Sequence, residues 1–242
     1  MKITVIGAGN MGGALIKGWC KAGMAPDITI TAHTRETLDR FTAEWPQLTA
    51  TIDNKEAVKT ADIVVLAVKP WLVSGVLDEL QGLTSGKTLV SVAACVRHDA
   101  INVYAMPNIA AEFGQSMTFL EAPATEAVKE LFAKVGMVKV VDRKLMDAGM
   151  MMAGCGIAYV MRFIRAMMEG GVEMGFYPED AEAISMQTMK GAIALLEETG
   201  LHPEKAIDKV TTPGGVTIKG LNELDHAGFN SAVIRCLKAG LK

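Results

Sequence analysis

Over the first 142 residues, short runs of β-branched and other apolar residues alternate with helical patterns. Ile3–Ile6, Ile28–Ala32, Ile63–Val68, Thr88–Val92, Asn102–Ala105 and Val138–Val141 read as strands. Met11–Ala22, Arg35–Glu44, Lys55–Thr60, Leu72–Leu80 and Thr125–Val135 read as the helices between them. The run Ile63-Val64-Val65-Leu66-Ala67-Val68 has no polar position. That marks a strand covered on both faces, hence a parallel sheet flanked by helices. From Lys144 the strand signals vanish. Helical patterns continue nearly to the end, broken at Tyr177-Pro178, Gly200–Pro203 and Pro213-Gly214-Gly215. The pattern predicts an α/β domain over residues 1–142 and an all-helical domain over 143–242.

Ten of the sixteen methionines fall between Met146 and Met189. Flexible thioethers at that density suit a helical core or a seam between copies. A hundred residues of apolar helix hold too little core of their own, so a homodimer or larger homo-oligomer is expected. The most apolar stretch, Leu145 to Gly175, carries Arg162, Arg165, Glu169 and Glu173. It reads as a buried or interface helix, and no membrane span is expected.

The chain has 242 residues, half of them apolar, 21% charged, with a net charge of −3. This balance argues against disorder, and without a basic footprint no nucleic-acid partner is expected. The glycines after Ile6 interrupt the apolar amino terminus, so no signal peptide is expected. Cys20, Cys95, Cys155 and Cys236 are too widely spaced for a zinc knuckle or a compact disulfide framework. Reduced thiols in the cytoplasm, and no metal, are the expectation.

Chemistry enters at Gly7-Ala8-Gly9-Asn10-Met11-Gly12, a GxGxxG between the strand Ile3–Ile6 and a helix. Gly7 permits the tight turn, Gly9 lets backbone approach a pyrophosphate, and Gly12 lets the helix pack against the strand. The helix amino terminus then offers free N–H groups to phosphates. The α/β domain is therefore read as a Rossmann-type dinucleotide-binding domain. Its second strand ends in Thr31-Ala32-His33-Thr34-Arg35, without the carboxylate that holds the ribose hydroxyls of NAD. Thr34 and Arg35 suit a 2′-phosphate, which favours NADPH while leaving NADH possible. Arg35 serves equally as a solvated residue in the first turn of a helix. Lys69 lies between Val68 and Pro70, which holds it extended at the carboxyl end of a strand, where ligands of such sheets bind. A plain surface lysine is the alternative there.

Five segments, in order, resemble the pyrroline-5-carboxylate reductase family: Gly7–Gly12, Ala67–Pro70, Ala105–Asn108, Ala153–Val160 and Thr211–Leu221. The most specific is Thr212-Pro213-Gly214-Gly215-Val216-Thr217. The resemblance spans nearly the whole chain. It implies NAD(P)H-dependent reduction of L-1-pyrroline-5-carboxylate, a small cyclic imine, to L-proline. It also implies a helical domain that intertwines with a partner's. Carried over, Ile6, Gly7, Ala8, Gly9, Asn10 and Met11 would hold the pyrophosphate, and Thr34, Arg35 and Asn54 the adenosine end. Ala67, Val68, Lys69, Pro70, Ala94, Met106, Pro107 and Asn108 would frame the nicotinamide. Pro213, Gly214, Gly215, Val216 and Thr217 would receive the substrate, with Thr217 catalytic, and the loop would come from the neighbouring subunit.

The chain departs from the family at Ile109-Ala110, where Thr-Pro is common, and at Cys155 and Ile157, where Ser and Pro are common. The connection from Cys95 to Asn102 is short, since a crossover between parallel strands ordinarily takes a dozen residues or more. Either the strand boundaries move or this corner is rebuilt. Three other readings stay open: a catalytically silent dinucleotide-binding sensor or scaffold, a reductase of a related cyclic imine, and a β-hydroxyacid dehydrogenase. The last would need a lysine at Val160 and an asparagine at Ile164.

Overall fold

A computed structural model describes residues 1–241. The chain divides into two compact units, Met1–Cys155 and Gly156–Lys242. In the first, β1 (Ile3–Ile6) leads into α1 (Asn10–Lys21), β2 (Ile28–Thr31) into α2 (Arg35–Glu44), and β3 (Thr49–Thr51) into α3 (Asn54–Val58). Then come β4 (Ile63–Leu66), α4 (Val73–Glu79), β5 (Thr88–Ser91) and β6 (Val103–Met106). β7 (Ser116–Glu121), α5 (Glu126–Ala133), β8 (Gly136–Val141) and the short α6 (Met146–Gly149) follow.

The eight strands form one sheet in the order β3-β2-β1-β4-β5-β6-β7-β8. Neighbours are parallel except at the antiparallel β6–β7 pair. Ile3 of β1 faces Ile28 of β2 on one side and Ile63 of β4 on the other. The strand order therefore reverses at β1, and such a switch point opens a crevice beyond the carboxyl ends of the strands.

β1 and β4 are buried at every position, because helices cover both faces. One face packs on Leu15 and Trp19 of α1 and on Leu131 and Phe132 of α5. The other packs on Val58, Leu77, Leu80 and Met146. Trp19 is wholly buried, donates from its indole to the Leu131 carbonyl at 2.8 Å, and meets Phe132 edge-on at 5.6 Å. Trp19→Ala is expected to cost about 3–5 kcal/mol of unfolding free energy in urea titration. A loss under about 1 kcal/mol would mean the face refills without it. Beside it, burial, reinforced by the Glu44 charge, pushes the Cys20 thiol up to about 12. Cys20 therefore behaves as a small apolar side chain.

Two strands, β3 and β7, were not anticipated by the hydrophobic pattern. The short connection is settled in favour of a rebuilt corner. β5 and β6 pair in parallel, joined by residues 92–102 with no helix between them. Polar clamps stand in for the helix. The Tyr104 hydroxyl accepts from the His98 N–H at 2.6 Å and donates to the His98 carbonyl at 3.2 Å. Arg97 lies over the Tyr104 ring and pairs with Glu121, while Asn102 bonds Leu89 through its side chain and its N–H. The unit boundary falls after Cys155, beyond the expected 142/143 division. Met146 is built into the core of the first unit, and a side chain at Gly149 would meet the Phe119 ring at 2.7 Å.

The second unit contains α7 (Gly156–Glu173), α8 (Pro178–Thr199), α9 (Pro203–Val210), α10 (Val216–His226) and α11 (Phe229–Lys238). Prolines open α8 and α9 at their first position, and Gly200 closes α8 in the left-handed region. His202 caps α9, its Nδ1 accepting from the Glu204 N–H at 3.3 Å. Few side chains of this unit are buried, chiefly Ala181, Ser185 and Ala206. Met174, Phe176, Ile193 and Ile234 are exposed. The helical run Arg143–Glu173 has a mean hydropathy of 1.2 over its most apolar window, of which 11% is buried. Among the described residues it is the one helix long and apolar enough to cross a membrane by length and composition.

Candidate functional site

The turn after β1 is shaped by contacts that tolerate no side chain. Gly7 has φ +102°, and its N–H and that of Ala8 both donate to the Thr31 carbonyl, at 3.1 and 3.0 Å. A Cβ on Gly12 would lie 1.9 Å from the Gly7 carbonyl oxygen. Gly9 is the exception: a Cβ there would meet nothing within 4 Å, so its missing side chain leaves open space. Helix α1 starts beside that space with no side-chain cap and no acidic residue in its first turn. Its first N–H groups are free to bind an anion, and the pyrophosphate of a dinucleotide fits this cradle.

Beyond the turn lies a cleft of about 450 Å³. Ile6, Gly7, Thr31 to His33, Asn54, Trp71 and Glu79 are among the residues that line it. The Thr31 hydroxyl donates to Asn54 Oδ1 at 2.7 Å, and Asn54 Nδ2 donates to the Glu79 carboxylate at 2.9 Å. Thr34 caps α2, its hydroxyl accepting from the Thr37 N–H at 3.4 Å. The Arg35 guanidinium makes no hydrogen bond or ion pair within the described residues. Lys69 is exposed with φ −62° and ψ 146°, the extended conformation that Pro70 imposes.

Sequence reasoning missed the wall that follows Pro70. Trp71, Gly75 and Glu79 are four residues apart, as are Leu72 and Val76, and all five line the cleft. That spacing puts them on one helical face, a signal present in the sequence.

At the same carboxyl end of the sheet, directly after β4, Ala67 packs on the glycine turn, its N–H donating to the Ile6 carbonyl at 2.8 Å. Ala94 lies in the rebuilt connection and Met106 ends β6. Asn108 turns toward protein. Its N–H donates to the Ser116 hydroxyl at 3.1 Å, its Oδ1 accepts from the Ala110 N–H at 3.0 Å, and its Nδ2 donates to the Ala153 carbonyl at 3.2 Å. Ala153 belongs to a π-helical turn, Met150–Cys155. Such turns leave backbone groups to be satisfied by other partners, and they cluster at functional sites. Asn108 thus fixes the segment that carries Cys155. Ile109, beside it, is half exposed.

In the second unit, Gly215 donates to the Thr212 carbonyl at 2.9 Å across a turn in which Gly214 adopts φ +69°. Pro213, Gly214 and Val216 are exposed. α10 begins directly afterwards, with Gly215 at its cap, no capping side chain and no acid in its first turn. Thr217 is exposed at its second position. This gives a second uncapped helix terminus with a hydroxyl beside it, suited to a carboxylate.

The switch-point sheet, the glycine cradle and the cleft define a dinucleotide-dependent oxidoreductase. A family model described as NADP oxidoreductase coenzyme F420-dependent matches residues 2–95, and one described as pyrroline-5-carboxylate reductase dimerisation matches residues 143–242. The chain is 35% identical to the pyrroline-5-carboxylate reductase of Glycine max, over 98% of this chain and 92% of that one. It is 36% identical to that of Methanosarcina acetivorans, over 97% and 94%. It spans 47% of the longer pyrroline-5-carboxylate reductase 1 of Dictyostelium discoideum, at 36% identity. A Coxiella burnetii pyrroline-5-carboxylate reductase superposes with a TM-score of 0.89 at 28% identity, covering 99% of this chain and 95% of that one. A Plasmodium falciparum pyrroline carboxylate reductase, solved with NADP bound, shares the fold at a TM-score of 0.88, with the same coverage and 24% identity.

The chain belongs to the pyrroline-5-carboxylate reductase family. Its reaction is the NAD(P)H-dependent reduction of pyrroline-5-carboxylate to proline.

Proposed function

We propose that the enzyme prefers NADPH to NADH and completes each active site with the Pro213–Thr217 loop of a second copy, in the cytoplasm. The observation that carries the cofactor preference is the unpaired Arg35 guanidinium at the start of α2, beyond a β2 end that has no carboxylate. A guanidinium there attracts a 2′-phosphate and gains nothing from a hydroxyl. The dinucleotide supplies the hydride. The chain supplies position: Gly7 to Met11 and the α1 terminus hold the pyrophosphate, with Thr34, Arg35 and Asn54 at the adenosine. Ala67 to Pro70, Ala94, Met106 and Pro107 border the nicotinamide, and Asn108 acts on that region by fixing backbone.

The substrate loop binds the carboxylate through the free N–H groups of Val216 and Thr217, which follow the Gly215 turn, and through the Thr217 hydroxyl. A protonated cyclic imine is already electrophilic, so orientation accounts for much of the acceleration without a covalent nucleophile. The exposed apolar side chains of α7, α8 and α11 support cover by a partner's helices rather than lipid, in keeping with the dimerisation model matched there.

Arg35→Glu is expected to raise KM for NADPH about 10- to 100-fold and KM for NADH less than about 3-fold in initial-rate assays at 340 nm. An equal rise for both would remove Arg35 from the 2′-phosphate site.

A further inference from the structure

We infer that Glu79 is a specificity-determining residue, a carboxylate held in the adenosine cleft that accepts a ribose hydroxyl and opposes a 2′-phosphate. The inference rests on reading that cleft as the adenosine site. In dinucleotide folds the selecting carboxylate ordinarily stands at the end of the second strand. This chain has Thr31-Ala32-His33-Thr34 there instead. The structure brings a carboxylate into the cleft that the end of β2 lines, from α4.

Glu79 lines the cleft with Thr31 and His33, two hydrogen bonds from the last residue of β2. Its Oε2 accepts from Asn54 Nδ2 at 2.9 Å, and the Asn54 Oδ1 is already taken by the Thr31 hydroxyl at 2.7 Å. Asn54 is therefore oriented with its N–H toward Glu79. The second carboxylate oxygen has no partner within the described residues, and no lysine or arginine there pairs with the charge. His33 is the other titratable side chain lining the cleft.

A free carboxylate oxygen accepts a hydrogen bond from a ribose 2′-hydroxyl and repels a phosphate at the same position. Arg35 and Glu79 then act in opposite senses, and the cofactor ratio follows their difference. An Asn54 fixed by two partners gives the ribose a rigid wall, so the selection lies in the charge of Glu79.

The test is isothermal titration of NADPH and NADH into the full chain, for wild type, Glu79→Gln and Glu79→Ala, with melting curves alongside. The glutamine keeps an oxygen for Asn54 Nδ2 and removes only the charge. It is expected to bind NADPH about 3- to 10-fold tighter and NADH about 3-fold weaker at an unchanged melting temperature. The NADPH gain should shrink at 0.5 M salt, about the screening range of an exposed charge. Glu79→Ala, which also frees Asn54, is expected to weaken NADH further than the glutamine does. If Glu79→Gln shifts both affinities equally or leaves both unchanged while wild type binds them, Glu79 does not select the cofactor. If wild type binds neither dinucleotide, the cleft is not the adenosine site and the assignment falls with it.

Discussion

Gly9→Ala is expected to weaken NADPH about 100-fold or more while leaving the melting temperature within about 2 °C of wild type. The two effects separate because of where the added methyl would go. At Gly9 it meets no atom within 4 Å beyond the two neighbouring residues, so the folded chain has nothing to rearrange. The same methyl projects into the open space beside the α1 terminus, where a pyrophosphate must approach backbone closely to reach the free N–H groups. A hundredfold loss corresponds to about 2.7 kcal/mol, the scale of losing more than one charge-assisted hydrogen bond. Gly12→Ala is the control with the opposite structural consequence. Its methyl would lie 1.9 Å from the Gly7 carbonyl oxygen, so either α1 or the turn must move, and stability should fall with binding. Titration calorimetry and melting curves on both variants read the difference. If Gly9→Ala binds NADPH like wild type, the dinucleotide does not pass over Gly9.

These contrasts also show why parts of the fold were readable from pattern alone. β1 and β4 are buried at every position, so their sequences are unbroken apolar runs that admit little else. β7 is buried at alternate positions, but two of the three inward residues are Ser116 and Thr118. Their hydroxyls lie 3.1 Å apart, and Ser116 also accepts from the Asn108 N–H, so the core tolerates them. A hydrophobic-pattern reading passes over a strand whose inward face is hydroxylic. β3 escaped for a simpler reason: Thr49-Ala50-Thr51 is a three-residue edge with no apolar signal to distinguish it from a loop.

The glycine turn was legible because Gly7 and Gly12 answer local steric demands, while Gly9 leaves the space beside α1 open. Glu79 was not, because its significance depends on Thr31 and Asn54, residues 48 and 25 positions away that the sheet topology brings into one cleft. The role of Asn108 was also hidden. Its partner is the Ala153 carbonyl, 45 residues on, within the π-turn Met150–Cys155. Motif position marked Asn108 as important, while the hydrogen bonds give the reason.

Thr217→Ala should lower kcat about 100-fold and leave NADPH affinity within about 2-fold of wild type. The threonine is exposed at the second position of α10, so its removal costs the fold little. What it removes is a hydroxyl beside a helix terminus that has neither a side-chain cap nor an acid in its first turn. A substrate carboxylate or ring nitrogen held there sets the attitude of the imine, and a misplacement of about 1 Å costs rate on the 100-fold scale. A collapse of NADPH affinity instead would move Thr217 into the cofactor site. Mixing Thr217→Ala with Gly9→Ala then asks whether a site draws on two chains. If the Gly9 cradle of one copy works with the Thr217 loop of another, each mixed dimer holds one site with both defects and one with neither. Random subunit exchange between the two inactive variants should then restore about a quarter of wild-type activity. If each site is built from a single chain, every site in the mixture carries a defect and no activity returns.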